Sequence, residues 1–175
     1  SNPGSGTLSG TTQVPSTGGR ATLADVSINN AGAGYTLSAS SSGLSAATSS
    51  SFDIIVGTAT NLALLAQPTS TTGGVPIGPA VTVEIQDAGG NRVTDATNGV
   101  TIGIGTNPNS GTLSGTTTVA AASGLATFST LTIDSAGTGY AFTASAAGLV
   151  GAASTAFNVI VGPPAQLAFR IHPTT

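Results

Sequence analysis

The chain has 175 residues, of which 5% are charged and 39% hydrophobic, with a formal net charge of −3 and no Cys, Met or Trp. Three scattered arginines (Arg20, Arg92, Arg170) cannot build the basic face that displaces counterions from nucleic acid. Without Cys there is no disulfide, zinc–thiolate site or thiol nucleophile, and no run of about 20 apolar residues offers a transmembrane helix. A mean hydropathy of +0.32 also argues against a disordered chain. Solubility then rests on the abundant Ser and Thr hydroxyls rather than on charge. No signal peptide is visible at Ser1, as expected of a mature or excised chain.

Read from its start, the chain soon repeats. GTLSGTT at Gly6 to Thr12 recurs at Gly111 to Thr117. AGAGY ending at Tyr35 returns as AGTGY ending at Tyr140, and FDIIVG from Phe52 returns as FNVIVG from Phe157. A shift of 105 residues lays residues 2–70 on 107–175 without a gap, and just under half of the aligned positions are identical. This is a duplicated domain. Residues 58–162 form one complete period. Residues 1–57 are then the C-terminal part of a preceding repeat, and residues 163–175 the first strand of a following one. The expected organisation is a window on a longer tandem array.

Within the complete repeat the signal is period-two alternation, the mark of strands. Leu62, Leu64 and Ala66 share a face, as do their equivalents Leu167, Phe169 and Ile171, and Pro68 and Pro173 close that strand. Val81, Val83 and Ile85 alternate with Thr82, Glu84 and Gln86, which predicts an apolar-in, polar-out strand. It ends in Asp87-Ala-Gly-Gly-Asn91, a turn sequence. Val100, Ile102 and Ile104 follow, and then a Gly-interrupted edge around Leu113 and Val119. Parity breaks between Ala126–Phe128 and Leu131–Ile133, and a bulge near Ser129-Thr130 would turn both sets inward. Tyr140, Phe142 and Ala144 form the next inward face, and Phe157, Val159 and Val161 the last. About seven short strands at this spacing predict an all-β sandwich. Gly and β-branched residues are too dense for helices.

Tyr140 follows Asp134-Ser-Ala-Gly-Thr-Gly, and Tyr35 stands in the same place of its own repeat; these are the only two Tyr. In immunoglobulin-type sandwiches a Tyr at the start of strand F bonds back to the backbone, two residues before a core Cys. Here Phe142 or Leu37 takes the Cys position, so packing replaces the disulfide. The runs LALLAQP, AVTVEIQDAGGNRV and GLATFSTLTIDSAGTGYAFTASA resemble the bacterial immunoglobulin-like repeats of large surface proteins, the invasin and intimin group among them. The resemblance covers residues 58–162 and both partial repeats. It implies tandem immunoglobulin-like β-sandwiches in an extracellular stalk or fibre, often adhesive. The near absence of charge departs from that pattern.

Chemistry-bearing residues are sparse. The lone His172 has Gln67 as its equivalent and Arg170 has Leu65, so neither reads as a repeated functional group. One His gives a Ser–His–Asp site little to build on, and no nucleophile elbow opens onto a helix. The carboxylates do not recur with their charge: Asp25 becomes Thr130, Asp53 becomes Asn158, and Asp134 stands where Asn29 was. Asp87, Asn91 and Asp95 are weak calcium candidates, because hard cations collect oxygen ligands on such turns. The favoured reading of the Asp87–Asn91 segment is a turn stabilised by its own Asx side chains. Glycine-rich stretches lack the Lys of a phosphate loop, and no cofactor is implied.

The expected function is therefore a structural or adhesive extracellular fibre, without catalysis. Its partners are copies of itself or neighbouring repeats, with a host or matrix ligand as a further possibility. The structural residues are Tyr35, Tyr140, Phe142, Val83 and Phe157. Leu167, Phe169 and Ile171 are the inter-domain or inter-chain candidates. Two alternatives stand beside it. One is a non-covalent filament in which residues 163–175 donate a strand to a neighbour. The other is a carbohydrate- or receptor-binding module, which the lack of Trp and the inward parity of most aromatics disfavour.

Overall fold

The computed structural model describes residues 1–164 and 167. Phe169 and Ile171, like Arg170 and His172, lie outside the described residues; Leu167 is described and fully exposed. Among the described residues there is no helix.

Residues 1–57 hold six short strands: β1 (Leu8–Ser9), β2 (Ser27–Ile28), β3 (Gly32–Tyr35), β4 (Ser38–Ala39), β5 (Ala47–Thr48) and β6 (Phe52–Ile54). They pair only with one another, as β1–β2, β3–β6 and β4–β5. The complete repeat holds β7 (Asn61–Ala66), β8 (Thr71–Thr72), β9 (Val81–Gln86), β10 (Gly99–Thr106), β11 (Leu113–Ser114) and β12 (Thr118–Ala120). It continues with β13 (Leu125–Phe128), β14 (Thr132–Ile133), β15 (Gly137–Ser145), β16 (Ala152–Ala153) and β17 (Phe157–Ile160). One sheet runs β13-β9-β7; the other runs β12-β10-β15-β17-β8, with β16 also on β15.

The two sheets share one core. Val81, Val83 and Ile85 from the first meet Val100, Ile102, Tyr140, Phe142, Phe157 and Val159 from the second. This is a sandwich-like arrangement, and its cause is the alternation itself: the inward residues of β9, β10, β15 and β17 are apolar, so each sheet needs the other to cover them. Phe142 and Phe157 pack tilted, at 51° and 5.0 Å between centroids, and Tyr140 lies 6.2 Å from Phe157, within the range of favourable aromatic pairs.

Two details depart from the sequence-based expectations. No bulge joins Ala126–Phe128 to Leu131–Ile133. Instead the chain changes partners: β13 pairs with β9, whereas β14 pairs with β11. Phe128, Leu131 and Ile133 are all buried, because the crossing between sheets resets the parity. The second departure is Glu84, expected to face solvent but buried on the central strand β9, between Leu125 of β13 and Ala63 of β7. The Arg92 guanidinium covers it at 2.7 Å, and Gln86 Nε2 donates to its other oxygen. Strand β8 pairs in parallel with β17. The chain thus crosses from the first sheet to the second soon after β7, where Pro68 ends the run.

Candidate functional site

The two tyrosines show how closely the repeats are wired. The Tyr140 hydroxyl donates to the Ser135 carbonyl at 2.9 Å, and the Tyr35 hydroxyl to the Asn30 carbonyl at 2.8 Å. Both rings are buried. Each hydroxyl therefore fixes the loop that leads into its own strand, at a cost in burial that the bond offsets. Phe142, Phe157 and Val83 lie in the core of the complete repeat.

The carboxylates have the same local role. Asp25 Oδ1 accepts the Thr11 N–H at 3.0 Å, and in the other repeat Thr130 Oγ1 accepts the Thr116 N–H at 2.9 Å. Asp53 accepts from Gly34 as Asn158 accepts from Gly139. Asn29 accepts from Thr7 as Asp134 accepts from Thr112. At each pair the charge changes while the accepting oxygen stays. What these positions require is an acceptor for a loop amide, and Asp, Asn and Thr all supply one. The Thr11 amide and hydroxyl hold the Asp25 carboxyl below its ordinary range, and the Thr112 amide does the same for Asp134.

Asp87 and Asn91 do more than close a turn. Asp87 is buried. Its Oδ1 accepts the N–H groups of Gly89 and Asn91, both at 2.9 Å, and its Oδ2 accepts the N–H of Gly57 at 2.7 Å. Asn91 Nδ2 donates to the Asn29 carbonyl and Asn91 Oδ1 accepts the Ala31 N–H, both at 2.8 Å. Asn29, Ala31 and Gly57 belong to residues 1–57, whereas the turn belongs to the complete repeat. The turn is a plug and the end of the preceding half-repeat is its socket. A shallow cleft lined by Ile28, Ile54 and Ile55 runs beside Thr58 and Thr60 at the same place.

The adjacent glycines divide the work. Gly90 sits at φ +86° with open space around its Cα, so it serves the left-handed backbone of the turn. Gly89 needs no such conformation. A Cβ there would collide with the Asn29 carbonyl oxygen across the joint. Gly89 is therefore small because another repeat is against it. The local sequence shows a turn but not this contact; its one readable signal is the second glycine, where the turn itself uses only one.

Burial is the strongest single influence on the Asp87 carboxyl and works against its charge. The hydrogen bonds from Gly57, Asn91 and Gly89 together outweigh it and leave the pKa below the ordinary value of 3.8. The oxygens proposed for calcium are thus met by N–H donors, and Asn91 Oδ1 by another. Asp95 is exposed and makes no bond to either residue. No group of three or more His, Cys, Asp or Glu is gathered among the described residues.

No protein-family model matches the sequence, and no curated protein matches it.

Proposed function

We propose that the chain is part of an extracellular structural fibre built from tandem immunoglobulin-like sandwiches, acting through length and stiffness. The observation that carries the reading is the joint: Asp87 and Asn91 bond three backbone groups of the preceding half-repeat, through Gly57, Ala31 and Asn29. A connection of a few residues, Gly57 to Thr60, leaves little slack, and polar bonds on both sides of it restrain rotation. Repeats joined this way transmit orientation along an array. The immunoglobulin-like assignment is supported by the tyrosine hydroxyl bonds and by the early crossing of the first strand from one sheet to the other, β7 on β9 and β8 on β17. No catalytic residue enters this reading.

An antibody raised against residues 58–162 tests it on the source cells. Expected are label at regular intervals along surface fibres and a denatured mass many times 16.6 kDa. Internal label on a protein of single-chain mass would overturn it.

A second reading has its own observation. Leu8 and Leu23 are more than 40% exposed in residues 1–57, whereas of their equivalents Leu113 is partly buried and Phe128 fully buried. Such an uncovered face suits completion by strands from another chain. Surface fibres that dissociate in denaturant to single chains would favour it.

A further inference from the structure

The complete repeat carries equivalents of the two socket amides. Ala136 is the equivalent of Ala31 and Gly162 of Gly57, with identical residues at both places. The supporting loop is held alike: Gly139 has φ +87° and Gly34 φ +84°, and each donates its N–H to the side chain at the start of the last strand. The tyrosine bond behind each loop is also the same. In the first socket the two amides are taken by Asn91 and Asp87. In the second, the N–H groups of Ala136 and Gly162 have no acceptor among the described residues.

We propose that Ala136 and Gly162 are a docking site for an Asp-x-Gly-Gly-Asn turn presented by a further copy of this repeat, so that one polar joint recurs at every repeat boundary. The occupant is identified by chemistry that the molecule already displays: a carboxylate for the Gly162 amide and a carboxamide oxygen for the Ala136 amide. The second socket is bordered by its own repeat: Gly73 donates its N–H to the Ile160 carbonyl, Thr72 lies beside Gly162, and Asn109 Nδ2 donates to the Ala136 carbonyl. The Asp134 carbonyl, equivalent to that of Asn29, lies against Gly73 of its own repeat, where a Cβ would stand 2.8 Å away. The second joint is therefore carried by its two amides.

This inference rests on the tandem-array reading, and one experiment separates their failures. Amide hydrogen exchange is followed by NMR in the chain as it stands and in an extended chain, residues 1–162 followed directly by 58–175. In the first, Ala31 and Gly57 should exchange roughly tenfold or more slowly than Ala136 and Gly162. In the extended chain Ala136 and Gly162 should slow to match, and Asn91→Ala in the added copy should release Ala136 while core amides such as Val83 stay protected. If Ala136 and Gly162 stay fast while Ala31 and Gly57 are protected, the recurring joint is wrong. If Ala31 and Gly57 are themselves unprotected, the joint and the stiff-fibre reading built on it both fail.

Discussion

Tyr35 and Tyr140 make the same bond five residues back, yet their neighbours differ. Ile133, Phe142 and Phe157 are buried around Tyr140, whereas Ile28, Leu37 and Phe52 around Tyr35 remain partly exposed. The sharpest contrast is Phe128, 1% exposed, against its equivalent Leu23 at 44%. The loops of both regions are pinned by the same side-chain acceptors, down to Asn2 on Gly6 and Asn107 on Gly111. What differs is the cover. Residues 107–162 lie against β7, β9 and β10, and residues 1–57 have no such strands against them among the described residues. Hydrogen-bonded loop geometry here is thus a local property, set by Asn, Asp, Thr and Gly at fixed offsets. Burial is a property of the whole sandwich.

Substitutions can be chosen to break that comparison. The largest effect is expected of Phe157→Ala, which removes a ring packed on Tyr140 and Phe142. It should cost about 3–5 kcal/mol in urea unfolding of the complete repeat, while Phe52→Ala should change the same transition by less than ~1 kcal/mol. Equal losses would mean that the two halves unfold as one unit. Next, Tyr140→Phe should cost about 1 kcal/mol, because the Ser135 carbonyl loses its donor. Tyr35→Phe should give a loss of similar size, read as faster exchange in residues 30–36 rather than as a global shift.

Gly89→Ala sharpens the comparison at the joint. It should speed exchange at Ala31 and Gly57 without changing the unfolding free energy of the complete repeat by more than ~0.5 kcal/mol. Gly90→Ala should instead destabilise by about 1 kcal/mol, through the turn's positive φ. Lowering pH acts on the same joint. The Asp87 pKa is lower folded than unfolded, so its contribution is present above about pH 4 and is lost as pH falls through the folded value. Protection of the Gly57 amide should therefore fade below pH 4, and in Asp87→Asn it should be weak and independent of pH. The smallest effect is expected of Asp25→Thr, which copies Thr130: at neutral pH the Thr11 amide should stay protected, as judged by its exchange rate.

Much of the fold was legible because its signals are local. Val81, Val83 and Ile85 announced a strand by alternation alone, and Tyr140 announced its loop by the glycines before it. Between Phe128 and Leu131 the sequence displayed only a loss of parity. A bulge and a change of sheet both restore inward packing, and pairing of β14 with β11 rather than β9 depends on a strand 20 residues away in register, Leu113 on Ile133. Glu84 read as outward because alternation identifies a face but not what covers it, and Arg92 comes from beyond the turn.

By itself the sequence determined the internal repetition, the all-β class, most inward faces (Val161, expected inward, is 82% exposed) and the turns, since each is written in residue spacing within a few positions or in direct self-comparison. The tertiary structure alone decided which sheet each strand joins and that the Asp87–Asn91 turn is also a joint. Those outcomes depend on groups 26 to 62 residues apart, such as Asn91 with Asn29 and Thr60 with Gln86. No local pattern encodes them, because a backbone amide or carbonyl carries no sequence signature; only the folded chain brings Gly57 and Ala31 within reach of the side chains that accept from them.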